Sequence, residues 1–281
     1  MHVRLGHRAF DVGDKPLVMG ILNRTTDSFY DKGAYFQLGS LVDRAATLIR
    51  EGADILEVGA RSGAVGTRDV SECEEAELVT EAVHELVARF DVPIAVDTWR
   101  SSVALLAFRA GAVVGNDMSG FSEPRYLEIA ANAGATVVAT HMRLAPQIAD
   151  PDPVYGDVVV DVCRSLRGLV DLAESYGIER DKIIVDPGLD LGKTWRQSLR
   201  LLGRFREFTT LGCAALLAAS RKIFLGRALN LPKEKRHDAT VAACAFGIAQ
   251  GARVLRVHDA RGARNAADLF AAMVAAERDR C

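Results

Sequence analysis

The chain has no charge excess, no long apolar run and no paired cysteines, and each absence excludes something. Its 35 basic and 37 acidic residues leave a net charge of −2, which argues against a nucleic-acid or membrane-surface partner. No apolar stretch approaches the ~20 residues that a membrane-spanning helix needs. The N-terminus, with His2, Arg4, His7, Arg8 and Asp11, lacks the apolar core of a signal peptide. The five cysteines, Cys73, Cys163, Cys213, Cys244 and Cys281, are scattered, odd in number and never spaced as CxxC. Disulfides and structural zinc are therefore not expected, and a cytoplasmic location is. Low-complexity tracts, interdomain linkers and close internal repeats are missing as well.

What is present is an alternating pattern. With 281 residues, 49% of them hydrophobic, the chain is long enough for a large α/β domain. Residues 1–15 read as an ordered lead-in, a hairpin with Val3 and Leu5 facing Phe10 and Val12, and residues 16–281 as the main domain. Strand-like runs cover Leu17–Leu22, Ile55–Val58, Ile94–Val96, Ala112–Val114, Thr136–Ala139, Ile183–Val185, Ala214–Leu217 and Val254–Val257. Helical periodicity lies between them, for example at Ala76, Val79, Val83 and Leu86, or Val159, Val162, Leu166 and Val170. A weaker helical signal covers Tyr126–Ala133. Eight strands alternating with eight helices point to a single (β/α)₈ TIM barrel, with a doubly wound open sheet as the alternative. The longest irregular stretches are 23–38, 60–70 and 144–156, the first two following the first and second strands.

Polar residues cluster just past the strands. In order they are Asn23, Asp97-Thr98, Asn116-Asp117, His141, Asp186, Ser220-Arg221-Lys222, and Arg256 with His258. One Asp or Asn after a strand is usually a helix cap or turn former. A whole set favours a site, because a barrel would aim all of them into one C-terminal mouth. Asp97, Asn116, Asp186 and Lys222 suit a flat heterocycle bearing N–H donors and a carbonyl. Asn23, Arg221, Arg256 and His258 suit an anion such as phosphate, with a divalent metal partly held by the ligand. His141 reads equally as a mouth residue or as a core histidine. The stretch Gly188-Leu189-Asp190-Leu191-Gly192-Lys193-Thr194 ends like a phosphate-binding P-loop but has three residues between its glycines where that loop needs four. Pro187 also lacks the N–H that an anion nest uses.

These motifs, in this order, resemble the dihydropteroate synthase family. The matching pieces are Leu22 to Phe29, Val96-Asp97-Thr98, Asn116 to Gly120, Asp186-Pro187-Gly188 through Gly192-Lys193-Thr194, Ser220-Arg221-Lys222, and Arg256-Val257-His258-Asp259. The resemblance implies a (β/α)₈ barrel, usually dimeric, that joins a dihydropterin diphosphate to p-aminobenzoate with Mg²⁺. It implies that Asp97, Asn116, Asp186 and Lys222 hold the pterin. Asn23, Arg256 and His258 would serve the diphosphate and the magnesium. Asp27 and Phe29 would belong to the first loop, and Ser220 and Arg221 to the second-substrate side.

One segment departs from the family. The family pattern Gly-Gly-Glu-Ser-Thr-Arg-Pro-Gly is here Gly59-Ala60-Arg61-Ser62-Gly63-Ala64-Val65-Gly66. Threonine, arginine and proline become Gly63, Ala64 and Val65, so a guanidinium that would meet the diphosphate is gone. Arg61 and Arg68 are the nearby replacements, with Arg61 displaced by three positions. Asp190-Leu191 replaces a Gly-Phe pair and adds a negative charge. The expectation is a divergent homologue that keeps a pterin-type pocket and has little or no synthase activity. The alternatives are an active synthase of folate biosynthesis, a methyltransferase-like folate barrel and a non-catalytic ligand-binding protein.

Overall fold

The computed structural model describes residues 1–24 and 37–278. A short antiparallel hairpin, β1 (His2–Leu5) and β2 (Arg8–Asp11), comes first. Eight parallel strands follow: β3 (Leu17–Asn23), β4 (Ile55–Gly59), β5 (Ile94–Asp97), β6 (Val114–Asp117), β7 (Thr136–Thr140), β8 (Ile183–Asp186), β9 (Ala214–Leu217) and β10 (Ala252–Val257). They pair in sequence order, and β10 closes on β3. The sheet is thus a closed barrel, and the open-sheet alternative is excluded.

Helices α1 (Leu38–Arg50), α2 (Glu72–Arg89), α3 (Ser101–Arg109), α4 (Tyr126–Asn132), α5 (Val158–Ser175), α6 (Trp195–Gly203), α7 (Ile223–Leu229), α8 (His237–Ala249) and α9 (Ala260–Arg278) alternate with the strands. The sequence pattern missed α7. Its Ile223 and Leu229 are 52% and 56% exposed, so its apolar residues do not mark one buried stripe. None of the described helices is long and apolar enough to cross a membrane.

Two apolar clusters divide the core. The outer one lies between strands and helices and contains alternate strand residues such as Val58, Val96, Val137, Ala139 and Val185. The inner one fills the barrel with Met19, Ile55, Ala95, Val114, Val138, Ile184, Leu216 and Val254. Val3, Leu5 and Val12 join this inner cluster. The lead-in hairpin therefore seals the N-terminal end of the barrel and leaves chemistry to the other end.

One strand boundary needs correction. The apolar residues Ala112–Val114 predict the fourth barrel strand, but the strand runs Val114–Asp117. Ala112 instead hydrogen-bonds back to Ala107 at the end of α3 (3.0 Å). Gly115, Asn116 and Asp117 are buried, so polar residues that look like a loop belong to the sheet.

Candidate functional site

In a parallel barrel the side chains alternate between interior and helices, so each interior row is read in steps of two. Ile55 leads to Glu57, Ala95 to Asp97, Val114 to Asn116, Val138 to Thr140, Ile184 to Asp186, and Val254 to Arg256. In each pair the lower residue is apolar and the upper one polar. The interior therefore changes character near the C-terminal rim. Glu57, Asp97, Asn116, Thr140 and Asp186 are at most 8% exposed.

Arg256 occupies the centre of this ring. Its Nε donates to Glu57 at 2.6 Å, and a terminal nitrogen donates to Asp97 Oδ2 at 2.6 Å. Asn116 Nδ2 donates to the other Glu57 oxygen at 2.8 Å. Burial pushes the Asp97 carboxyl up to about 7; the Arg256 charge opposes this and Glu57 adds to it. Asp97 Oδ1 has no partner. Glu57 was not expected from the sequence. Its signal was a single carboxylate inside the apolar run Ile55–Gly59, two residues past an inward isoleucine.

Asp186 and Lys222 meet on the turn after β8. Asp186 Oδ1 accepts the Gly188 N–H at 2.7 Å, and Lys222 Nζ donates to the Leu189 carbonyl at 2.6 Å. Burial raises the Asp186 pKa and lowers that of Lys222, while each charge partly offsets the other's shift. Gly188 has φ 65°, and a Cβ there would lie 2.0 Å from the His141 carbonyl oxygen, so this turn admits only glycine.

The rim carries the remaining expected residues. Ser220 Oγ lies 2.9 Å from His258 Nδ1 and accepts the His258 backbone N–H at 3.2 Å. Burial, then the neighbouring Arg256 charge, pushes His258 down to about 3. A neutral ring bonds Ser220 through Nδ1 in either direction, according to its tautomer. Arg221 has φ 52° and donates its backbone N–H to Thr240 at 3.0 Å. Asn23 ends β3, in register with Gly59. Asp27 and Phe29 lie outside the described residues. The structure thus gathers Asp97, Asn116 and Arg256 with Glu57, joins Asp186 to Lys222 through one turn, and pairs Ser220 with His258.

Lys193 and His141 form a separate knot. Lys193 Nζ reaches His141 Nδ1 at 2.8 Å and the carbonyls of Leu191, Gly188 and His141 at 2.8, 2.9 and 3.2 Å. Burial pushes the lysine down to about 7 and, together with the lysine, pushes His141 down to about 3. His141 is accordingly a core histidine, and Lys193 ties the β7 and β8 turns together. Asp190 accepts from Ser198 Oγ at 3.1 Å and from the Phe224 backbone N–H at 3.1 Å. Its carboxylate is committed to the first turn of α7.

The loop between β4 and α2 is held by its own contacts. Arg61 donates to Asp69 at 2.9 Å and to Gln147 at 2.7 Å, and its guanidinium lies 4.7 Å above the Trp99 ring. Gln147 donates in return to the carbonyls of Ser62 and Gly63, at 3.0 and 3.1 Å. Arg68 pairs with Glu74 at 2.9 Å. A Cβ at Gly63 would come within 2.1 Å of Met118 Sδ, so the methionine already fills the space a side chain there would need.

A closed parallel barrel sealed at one end, with a buried polar ring near the other, is the architecture of (β/α)₈ proteins that handle small molecules at the C-terminal mouth. The family model described as "Pterin binding enzyme" matches residues 19–258. Dihydropteroate synthase of Synechocystis sp. is 39% identical over 257 residues, which is 91% of this chain and 89% of that protein. A protein of Mycobacterium leprae named inactive dihydropteroate synthase 2 is 37% identical over 265 residues, covering 92% and 91%. Among solved structures, Yersinia pestis dihydropteroate synthase in a sulfonamide drug complex superposes with a TM-score of 0.93 at 33% identity, covering 98% of this chain and 100% of that one. The chain belongs to the dihydropteroate synthase family of pterin-binding enzymes.

Two outcomes follow for the ring and the loop. Asp97 is raised on folding, so its contribution to stability is full below the ordinary aspartate pKa near 4 and is lost as pH rises through about 7. Denaturant unfolding should therefore show a stability difference between wild type and Asp97→Asn that favours wild type more at pH 5 than at pH 8; a constant difference refutes the assignment. Gly63→Thr should destabilise the protein by about 1–3 kcal/mol through overpacking, and adding Met118→Ala should recover most of that loss.

Proposed function

We propose that the chain is a divergent dihydropteroate synthase homologue that binds a pterin-type ligand in the Asp97–Asn116–Asp186–Lys222 half of its site and has little or no synthase activity. The pterin half is supported by buried donors and acceptors that match a flat heterocycle: a carboxylate oxygen without a partner on Asp97, the Asn116 amide and the Asp186 carboxylate. The observation that carries the loss of activity is the occupation of both arginines of the rebuilt loop. Arg61 is bound to Asp69 and Gln147, and Arg68 to Glu74, which supports the reading that neither replaces the family arginine that is Ala64 here.

In the family reaction a diphosphate leaves the pterin methylene carbon and the arylamine nitrogen bonds to it. Cations facing the departing oxygen stabilise its growing charge. One charge-assisted contact is worth about 1.5–3 kcal/mol, or roughly ten- to a hundredfold in rate. Asn23, His258 and Ser220 border the place where that anion would lie. A Mg²⁺ ion fits here as a partner of the diphosphate, with Asn23 offering one neutral oxygen. Among the described residues no group of three or more His, Cys, Asp or Glu gathers as an all-protein cage. The ion would supply charge neutralisation on the leaving group.

The test is calorimetry with the dihydropterin diphosphate, with and without Mg²⁺, beside an assay for dihydropteroate formation from p-aminobenzoate. Binding with turnover at least tenfold below an ordinary synthase is expected. Turnover at ordinary rates would instead establish the active-synthase reading, which the 39% identity to a named synthase favours.

The protein is further proposed to work in the cytoplasm, where its described cysteines, all free, stay reduced. It is proposed to form a homodimer through the outer faces of α7–α9, where Ile223, Leu229, Phe246, Leu269 and Met273 are 44–64% exposed. Sedimentation velocity should give a dimer that Phe246→Glu with Leu269→Glu converts to a monomer; a monomeric wild type removes this proposal.

A further inference from the structure

We infer that Thr140 is a specificity-determining residue of the ligand pocket, its hydroxyl hydrogen-bonding a polar atom on the edge of a flat heterocycle; this rests on the pterin-type reading of the site.

The inference starts from parity. Val138 lies in the inner cluster, while Val137 and Ala139 lie in the outer one, so Thr140 continues the inward row. Its residue is 2% exposed, and its Oγ1 is buried without a hydrogen-bond partner. A buried hydroxyl left unpaired is destabilising, and no described residue pairs with this one. Valine has nearly the same shape and would fill the same space without that cost.

Register locates the hydroxyl. Thr140 is paired with Asp186 on β8, and Asp97 with Asn116 on β6. Asn116 is paired with Val138, so Thr140 stands two residues, about 7 Å, further along the barrel than the Asn116 level. The wall formed by β5–β8 therefore presents two polar pairs, Asp97 with Asn116 and Thr140 with Asp186, one step apart. The inward atoms without partners, Asp97 Oδ1 and Thr140 Oγ1, belong one to each pair. A ligand that satisfies both needs hydrogen-bonding atoms on two neighbouring edges, as a pterin-like bicycle has and a simple arene lacks. A hydroxyl both donates and accepts, so it serves a ring nitrogen in either protonation state.

The experiment compares wild type, Thr140→Val and Thr140→Ser by calorimetry with the dihydropterin diphosphate, and by thermal unfolding without ligand. The expected result is a loss of affinity of about 2- to 12-fold in the valine variant, the equivalent of 0.5–1.5 kcal/mol for one neutral hydrogen bond. The serine variant should stay within about twofold, and the unliganded valine variant should melt at or above wild type. Equal affinity of wild type and Thr140→Val overturns the inference while leaving the pterin reading intact. A lower melting temperature in Thr140→Val also overturns it, because the hydroxyl then serves the fold. Absence of pterin binding by wild type refutes the pterin reading itself, and the inference with it.

Discussion

The rest of the site depends on one clamp, the Arg256 guanidinium between Glu57 and Asp97. A guanidinium inside a closed barrel loses its hydration and is tolerable only with charge-assisted partners in good geometry. Here two carboxylates from neighbouring strands and an amide anchored to one of them supply that geometry. The clamp connects β10, β4, β5 and β6 by side chains as well as by the backbone ladder. It fixes the Asn116 amide, leaves one Asp97 oxygen open, and balances one positive charge against two negative ones. That imbalance, in a desolvated place, helps hold the Asp97 carboxyl near neutrality. The apolar layer below and the hairpin that seals it keep water from relieving the clamp from the other side.

Around the clamp, the turn after β8 and the loop after β4 are held by different contacts. The β8 turn is pinned by Lys193, by the close approach of Gly188 to the His141 backbone, and by Asp190 at the start of α7. Groups that look in the sequence like a phosphate loop or an intruding charge thus act as fasteners for Asp186. The β4 loop has gone the other way. One terminal nitrogen of Arg61 is engaged by Asp69 and Gln147, its guanidinium lies over Trp99, and Gly63 leaves room for Met118. Arg61 and Arg68 both have acidic partners within the protein, Asp69 and Glu74.

Much of the fold was legible because burial leaves a period. Parallel strands covered on both faces read as continuous apolar runs, and helices on one side read every third or fourth residue. The eight strands followed from that grammar, whereas their closure is seen only in the pairing of β10 with β3. Reading stopped where polar residues enter the sheet. Asn116 and Asp117 belong to β6 because their backbones pair with Val138 and Ala139 of β7, and both are buried. Glu57 and Thr140 escaped notice for the same reason, since a single polar residue in or just after a short apolar run resembles a strand boundary. Helix α7 escaped because two of its large apolar side chains, Ile223 and Leu229, are exposed and blur the buried stripe.

By itself the sequence determined the strand–helix alternation, the family resemblance, the polar residues past the strands and the departure at Gly63-Ala64-Val65, since all of these are carried by residue identity and spacing. Only the tertiary structure decided which charges are already spent. His141 and Lys193 bind each other, Asp190 caps a helix, Arg61 serves its own loop, and Arg256 belongs with Glu57 and Asp97. Ion pairs and hydrogen bonds join residues up to 264 positions apart, and the Arg256–Glu57 contact spans 199. Their strength depends on distance and burial, and neither quantity exists until the chain closes.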